Sequence, residues 1–380
     1  MQTLNRFHVS ETDMSSETDN SAPIDRISNL PDELICHILS FLPTRQAFAT
    51  KRLSKRWALL CYSLSVLSFL FDDGTVQDDD DGTILDDDDE TVLDDDYSIA
   101  IYWFCHFVDT LVLSPSAINK SINTFSLTFI SRSYDVDNQR FHAWVEAAKQ
   151  RHVKEFHLFM NNVTLNPTIF TSQTLVVLKL ERLKVEAETL IVDFPSLKTL
   201  HLRFVRFQNK NDFMKLLNAC PILEDLHTSH PRYVENNEVE EFKTLFLSKL
   251  VRADIGPIDV PFNAISKVEF LRIDYEQKAT LTSIPVFRNL IHIELLFYHF
   301  FLGWDSVIEL LQLCPKLQIL YLKKVCGLIC SSFTCSFLIY ILMNVILCPF
   351  DSGVPDYPKI GKAQFHLLNA FRLTSDHVLF

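Results

Sequence analysis

The densest group of potential metal ligands in the sequence is an acidic run at residues 72–96, DDGTVQDDDDGTILDDDDETVLDDD. It holds fourteen Asp or Glu and no Lys or Arg, and it repeats an eight-residue unit at 72–79, 80–87 and 88–95. Carboxylates are calcium ligands, but in the frame of an EF-hand loop Gln77 takes the first ligand position and Asp88 replaces the closing Glu. Blocks of like charge are usually solvated and self-repelling. We therefore expect a solvated linker, with a calcium-binding repeat as the alternative.

Signatures of other site chemistries are missing from the sequence. With only seven Gly, it has no GxGxxG, P-loop, GxSxG or HExxH motif. Nine Cys without a CxxC, behind a polar N-terminus without a secretory signal, predict reduced thiols and a location in the nucleus or cytoplasm. Cys326, Cys330 and Cys335 lack the His or fourth Cys that a zinc site needs. We expect no catalytic residue, no bound metal and no cofactor.

Composition limits the class of protein further. The chain has 380 residues, 48% hydrophobic and 22% charged, which is enough for a sizeable core and for two or three domains. The net charge of -13 comes from the acidic run, because outside it 35 Lys and Arg face 34 Asp and Glu. Nucleic acid binding needs a broad basic face, so nucleic acid is not expected among the partners.

The first patterned elements are short helices within residues 30–57, LPDELICHILSFLPTRQAFATKRLSKRW. Between Pro31 and Pro43, apolar residues recur at helical spacing. Thr44 is expected to cap a second helix, and Leu53 and Trp57 are expected to share a stripe on a third. Helices this short gain their stability by packing, so the pattern fits either a partner-binding surface or a cap on a larger domain.

Residues 25–57, DRISNLPDELICHILSFLPTRQAFATKRLSKRW, resemble an F-box, in particular that of the large plant F-box/leucine-rich-repeat family. The match covers Leu30-Pro31, Ile38-Leu39, Leu42-Pro43 and the run from Leu53 to Trp57. The resemblance implies docking to a Skp-type adaptor and, through it, to a cullin ubiquitin ligase. The residues that it implies for the adaptor contact, or for the packing behind it, are Leu30, Pro31, Ile38, Leu39, Leu42, Leu53 and Trp57.

A six-residue apolar pattern, L-x-x-L-x-L with aliphatic or Phe substitutions, recurs through the rest of the chain. Its copies start 18 to 31 residues apart, near the ~20–29-residue period of leucine-rich repeats. They are INTFSL (122), VKEFHL (153), LVVLKL (175), LKTLHL (197), LEDLHT (223), LVRADI (250), VEFLRI (268), LIHIEL (290) and LQILYL (317). Helical apolar spacing lies between them at 141–150, 211–220 and 304–314. The predicted fold is α/β: a three-helix F-box, then a right-handed leucine-rich-repeat solenoid with a curved parallel sheet.

The repeats, over residues 97–325, also resemble the plant F-box/leucine-rich-repeat family. The resemblance implies a substrate-recognition subunit of a Skp-cullin-F-box (SCF) ubiquitin ligase, whose repeats bind an unidentified protein substrate while other subunits carry the chemistry. The alternative is a leucine-rich-repeat binding module that assembles no ligase, or one tethered to a membrane. The predicted segments are a disordered N-terminus (1–22), the F-box (23–70), the acidic linker (71–96), the repeats (97–325) and an atypical tail (326–380).

The repeats predict a recognition surface. The second and third apolar places of each copy point into the core, so the third and fifth positions point out from the strand. The fifth position gives His157, Lys179, His201, His227, Asp254, Arg272, Glu294 and Tyr321, and the third adds Glu155, Asp225, Arg252 and His292. We expect this concave stripe to bind a charged peptide or protein surface, with Arg252 and Arg272 facing acidic groups and Tyr321 as an aromatic anchor. A metal or pH-sensing pair of His201 and His227, with Asp225 beside them, is the alternative.

The tail departs from the family pattern. Residues 326–350 contain no charged residue and are long enough to span a bilayer. Polar residues dilute the first half, however, and basic residues flank only one side. We expect a buried closing element or an altered C-terminus rather than a membrane anchor. The FBD module that often follows the repeats in this family has no counterpart here.

Overall fold

The protein combines three short N-terminal helices with a long sheet of mostly parallel strands. The structure is a computed structural model that describes residues 27, 29–73, 95–131, 136–161, 163–186, 190–235, 245–256, 260–275, 284–297, 310–324, 372–374 and 377–379. The helices are α1 Asp32–Ser40, α2 Thr44–Ala49, α3 Lys55–Leu60, α4 Asp95–Val112, α5 Asn138–Gln150 and α6 Lys210–Asn218. The strands are β1 Val66–Asp72, β2 Thr124–Ile130, β3 Glu155–Met160, β4 Thr164–Leu165, β5 Val177–Glu181, β6 Lys184–Val185, β7 Thr199–Arg203, β8 Arg206–Asn209, β9 Asp225–Ser229, β10 Arg232–Glu235, β11 Arg252–Ile255, β12 Phe270–Tyr275, β13 His292–Phe297, β14 Ile319–Lys324, β15 Arg372–Thr374 and β16 His377–Leu379.

The first three helices form as the sequence predicts, with two local differences. Thr44 does not cap α2: its hydroxyl accepts a hydrogen bond from the backbone N–H of Ser68 at 2.8 Å, which ties α2 to β1. Ser54 instead caps α3, because its side chain accepts from the N–H of Trp57 at 3.3 Å. Leu53 therefore precedes α3 instead of sharing a helical stripe with Trp57.

All nine six-residue patterns form strands of one sheet, here called the main sheet, and the predicted leucine-rich-repeat fold is confirmed. Its parallel strands run in the order β1-β2-β3-β5-β7-β9-β11-β12-β13-β14. Burial alternates along each strand, so that Leu127, Leu158, Leu180 and Leu202 form one buried row in register. Alternate residues consequently lie on the opposite, half-exposed face.

Strand β1 extends the repeat pattern into the segment predicted as F-box. It pairs in parallel with β2, and it buries Leu67 and Phe69 in the same alternation as the later strands. Because α2 bonds to it and α4 packs against it, one continuous core joins the first helices to the repeats. The core of the first helices is thus completed by the main sheet.

The sequence reasoning missed two other features. The first is α4, which packs Phe107 between Phe48 and Phe69. The second is a small parallel sheet of order β10-β8-β6-β4, made by short strands that follow the main strands. The predicted helices at 141–150 and 211–220 correspond to α5 and α6. Of the predicted helix at 304–314, residues 310–314 are described, and 310–312 are helical.

A hydrogen-bonded clamp holds the two ends of the acidic run together. Tyr97 donates its hydroxyl proton to Asp73 Oδ2 at 2.6 Å, and the same hydroxyl contacts the Ser131 hydroxyl. Burial and the bond to Asp73 raise the pKa of Tyr97 to about 12, so the phenol keeps its proton near neutral pH. The predicted calcium loop itself, at 77–88, lies outside the described residues.

Few residues of the atypical tail are described. β16 pairs antiparallel with β14, and β15 with β16, at the far edge of the main sheet. The apolar segment 326–350 lies outside the described residues, as does the predicted N-terminal segment 1–22. In the described part of the chain, no helix has the length and apolar character needed to cross a membrane.

Candidate functional site

The first candidate surface is an apolar stripe of α1 and the two residues after it, formed by Leu34, Ile38, Phe41 and Leu42, and here called the stripe of α1. Pro31 and the acidic first turn of Asp32 and Glu33 start this helix favourably. Leu34, Ile38 and Phe41 follow at helical spacing and are 49%, 46% and 74% exposed. An adjoining side of the helix carries Ile35 and Leu39, which are almost completely buried. The exposed side chains of the stripe therefore lie outside the hydrophobic core.

The predicted adaptor residues divide between surface and core. Pro31, Ile38, Leu42 and Leu53 are exposed, and Leu30 is half-buried. Leu39 and Trp57 are buried, at 1% and 9% exposure, so they can serve only as packing behind the surface. Sequence reasoning missed the exposed Leu34, Phe41 and Leu59. Leu34 lies four residues before Ile38, and Phe41 lies three residues after it. This helical spacing could have predicted that both share a face with Ile38.

An ion pair fixes the start of α1 against α3. Arg56 donates from Nε and Nη2 to Asp32 Oδ1, at 2.8 Å and 2.6 Å, and from Nη2 to the carbonyl of Leu30 at 2.5 Å. The pair is partly exposed, so it contributes at most about 1 kcal/mol. Its role is to hold the first residues of the apolar stripe in a fixed orientation.

The second candidate surface is the half-exposed side of the main sheet, here called the open face. The register places the predicted fifth-position residues side by side across eight strands, as His157, Lys179, His201, His227, Asp254, Arg272, Glu294 and Tyr321. Glu155, Asp225, Arg252 and His292 lie two residues earlier on their strands. The predicted stripe is thus one continuous lateral row.

Many charges on the open face are paired with each other. His227 Nδ1 lies 2.8 Å from Asp254 Oδ2, and Arg272 lies 3.5 Å from the same oxygen. The pairing gives Arg272 a carboxylate within the protein, which the sequence did not predict. The other close pairs are His201 with Asp225 (3.8 Å), His292 with Glu294 (3.1 Å) and Arg203 with Glu181 (3.1 Å).

His201 and His227 are neighbours, as predicted, with ring centroids 5.4 Å apart and Asp225 beside them. The interaction with His201, at 3.8 Å, lowers the pKa of Asp225, although burial acts in the opposite direction. His227, however, is engaged with Asp254. Within the described ranges, no group of three or more His, Cys, Asp or Glu is arranged to hold a metal ion.

A further row, not predicted, lies at the carboxyl ends of four strands and is here called the strand-end row. It consists of Phe159, Arg182, Phe204 and His230. Arg182 lies 5.7 Å and 5.6 Å from the rings of Phe159 and Phe204, and Phe204 stacks on His230 at 5.1 Å. Arg182, Phe204 and His230 all have positive φ, of 57°, 51° and 51°, immediately after β5, β7 and β9. Such backbone is uncommon for residues other than Gly, and here it coincides with the stacked side chains.

The comparisons with known proteins agree with this architecture. A family model described as an F-box domain matches residues 27–69. A second, described as "FBD-associated F-box protein At5g56370, LRR repeats", matches residues 141–238. The first match ends within β1 and thus includes the whole of the first three helices.

Several similar proteins come from Arabidopsis thaliana. F-box/LRR-repeat protein At3g59200 is 29% identical, over 80% of this chain and 72% of that protein. Putative F-box/LRR-repeat protein At4g00320 is 27% identical, over 82% of this chain and 75% of that protein. Putative FBD-associated F-box protein At5g56700 is 32% identical, over 53% of this chain and 45% of that protein. The chain spans about half the length of several further relatives. With its F-box match followed by stacked leucine-rich repeats, the chain is similar to F-box/leucine-rich-repeat proteins of Arabidopsis thaliana.

Proposed function

We propose that this chain is the substrate-recognition subunit of an SCF ubiquitin ligase. Its first helices dock a Skp-type adaptor, and its repeats hold a target protein. The observation that carries the proposal is the apolar stripe of α1, where three large side chains on one helical face are each nearly half exposed or more. Burial of such side chains stabilises a complex by roughly 25 cal/mol per Å² of apolar area. A helix with this pattern suits a groove on a partner protein.

The proposed role of the chain is to position its target. Binding a target on the open face and the adaptor on α1 raises the effective concentration of target lysines near a ubiquitin-loaded enzyme. The chain itself forms no covalent bond with the target and uses no cofactor. The complex acts in the nucleus or cytoplasm, where reduced cysteines persist. Consistent with reduced thiols, burial raises the pKa of both Cys220 and Cys314 to about 12.

Capture of the adaptor by the full-length chain tests the proposal. Wild type, co-expressed with a Skp-type adaptor, should retain it through affinity purification. Ile38→Asp and Phe41→Asp should each reduce the captured adaptor at least about tenfold, because a charge would enter an apolar interface. The matched control is Leu70→Asp, which introduces the same charge at a residue that is 68% exposed on β1, away from α1.

Two outcomes would contradict the proposal. One is a wild-type chain that melts cooperatively yet captures no Skp-type adaptor. The other is an equal loss of capture in Leu70→Asp and Ile38→Asp, since it would show that the α1 stripe is not the docking surface. Circular dichroism melting of every variant separates loss of binding from loss of fold.

A further inference from the structure

The open face carries two cations that its own carboxylates leave unpaired. Five carboxylates of this face have a polar or cationic partner within 4 Å: Glu155 with Thr124, Glu181 with Arg203, Asp225 with His201, Asp254 with His227 and Arg272, and Glu294 with His292. The two cations without such a carboxylate, within the described part of this face, are Lys179 and Arg252. Lys179 and Arg252 are therefore the cations of this face that an anionic ligand could approach without displacing a carboxylate of the protein.

Lys179 lies between two other nitrogen-bearing side chains. In register, its neighbours are His157 on β3 and His201 on β7. Burial and the charge of Lys179 lower the pKa of His157, so the position already disfavours a further positive charge. The His157 ring is thereby kept neutral, and the positive charge that an incoming anion would meet at this position is that of Lys179.

The guanidinium of Arg252 is oriented by stacking on an aromatic ring. Its guanidinium carbon lies 4.3 Å from the centre of the Phe270 ring, and the side chain is exposed. Stacking on an aromatic face fixes the plane of a guanidinium and leaves its edge N–H groups free to donate to a carboxylate or phosphate. Asp225, in register beside Arg252, feels its charge but is paired with His201.

The separation of the two cations sets the ligand's geometry. Lys179 is three strands from β11, or about 14 Å at about 4.8 Å per strand, and Arg252 lies two residues earlier along its strand, about 7 Å. The combined distance is about 16 Å, which an extended peptide covers in about five residues. Alternate residues of such a peptide face the same way, so its anionic groups should be four or six residues apart.

We propose that the open face binds an extended acidic peptide segment of the target protein, with one anionic group at Lys179 and a second, four or six residues away, at Arg252. This inference rests on the proposed function, since it names the class of target for the same surface. The sequence predicted that Arg252 and Arg272 together face the acidic groups of a ligand. In the present proposal, Lys179 takes the place of Arg272. The anionic groups are carboxylates or phosphates, which share this chemistry.

The test uses full-length protein and fluorescein-labelled synthetic peptides. One peptide carries two Glu separated by three neutral residues, and a second carries phosphoserine in place of both Glu. A third carries two Lys at the same spacing, and a fourth a single Glu. The double-Glu or double-phosphoserine peptide should bind at least about fivefold more tightly than the single-Glu peptide, and the comparison of the first two identifies the anion.

Charge reversal assigns the contact to its residues. Lys179→Glu and Arg252→Glu should each weaken binding of the doubly anionic peptide about tenfold. Lys249→Glu is the matched control, with the same change at an exposed residue in the turn before β11, and it should alter binding less than about twofold. Equal effects of all three reversals, or tighter binding of the double-Lys peptide, would overturn the proposal.

Adaptor capture by the same variants distinguishes a failure of the acidic-target inference from a failure of the proposed ligase role. Lys179→Glu and Arg252→Glu should retain the Skp-type adaptor at wild-type level. Normal adaptor capture without any preference for acidic peptides would reject the acidic-target inference alone. Loss of adaptor capture in the wild type would reject the ligase role and leave the peptide result to stand by itself.

Discussion

The apolar stripe of α1 and the open face of the main sheet differ in the chemistry of their exposed side chains and in how far those side chains pair within the protein. On α1 and directly after it, Leu34, Ile38 and Phe41 leave much of their apolar area exposed, although Phe41 contacts the ring of His37 with a centroid distance of 4.8 Å. On the open face, most charges are paired across neighbouring strands, as Asp254 is with His227. Apolar area favours a partner non-directionally and over a permanent interface, whereas arranged charges select among partners. The contrast fits one constant partner at the helices and a selected partner at the sheet.

The largest effect expected from this contrast is a difference between adjacent residues of α1. Leu39→Ala should reduce the free energy of unfolding by about 2–5 kcal/mol, because Leu39 is buried in the core. Ile38→Ala should change it by less than about 1 kcal/mol, since Ile38 is 46% exposed. Urea unfolding followed by circular dichroism measures both. Similar losses in the two variants would show that the stripe is part of the core and break the comparison.

The next effect concerns the join between the two regions. Thr44→Val should cost about 1–3 kcal/mol, because it leaves the N–H of Ser68 without its 2.8 Å acceptor and so loosens α2 from β1. Thr44→Ser keeps the hydroxyl and should retain most of the stability. Thermal melting would show it. If Thr44→Val produced two separate transitions, the helices and the sheet would be independent units rather than one.

A smaller effect is expected for the acidic run between the two regions. Deleting residues 80–87 should change the free energy of unfolding by less than about 0.6 kcal/mol, because loop closure depends weakly on length and the Tyr97–Asp73 bond still joins the ends. Adaptor capture and peptide binding should both persist. A melting temperature that rises with millimolar calcium only in the undeleted protein would restore the calcium alternative.

The smallest effect is a change in one titration on the open face. Lys179→Met should raise the pKa of His157, because it removes a neighbouring positive charge that opposes protonation. The pKa should remain below its ordinary value, since burial is the larger cause. NMR titration of the His157 ring measures the change, and Lys249→Met serves as the control. An unchanged pKa in Lys179→Met would mean that the two side chains do not face each other.

The repeats could be predicted because one rule determines them. Alternating apolar residues fix which side of each strand is buried, and stacking in register then places His201 beside His227 without further information. The pairing of charges could not be predicted the same way. Asp254 could face His227, Arg272 or solvent, and side-chain packing decides among them. The sequence pattern therefore predicts which residues form the row. It does not predict which of their charges pair with each other.

The missed elements have their own physical reasons. Helix α4 begins within the acidic run and exposes Ile99, Tyr102 and Trp103, so it lacks the apolar–polar alternation that marks a surface helix. Strand β1 has the repeat pattern, but the F-box resemblance extended over it. The small second sheet includes strands of two residues, too short for any periodicity to be read.

The strand-end row has a mechanical consequence. Arg182 lies between Phe159 of one repeat and Phe204 of another, and Phe204 in turn stacks on His230 of the next. Each stack therefore bridges neighbouring repeats, which is the nearest-neighbour term that makes a linear array cooperative. A force applied at the two ends of the protein should therefore meet a resistance that the repeats from β3 to β9 share.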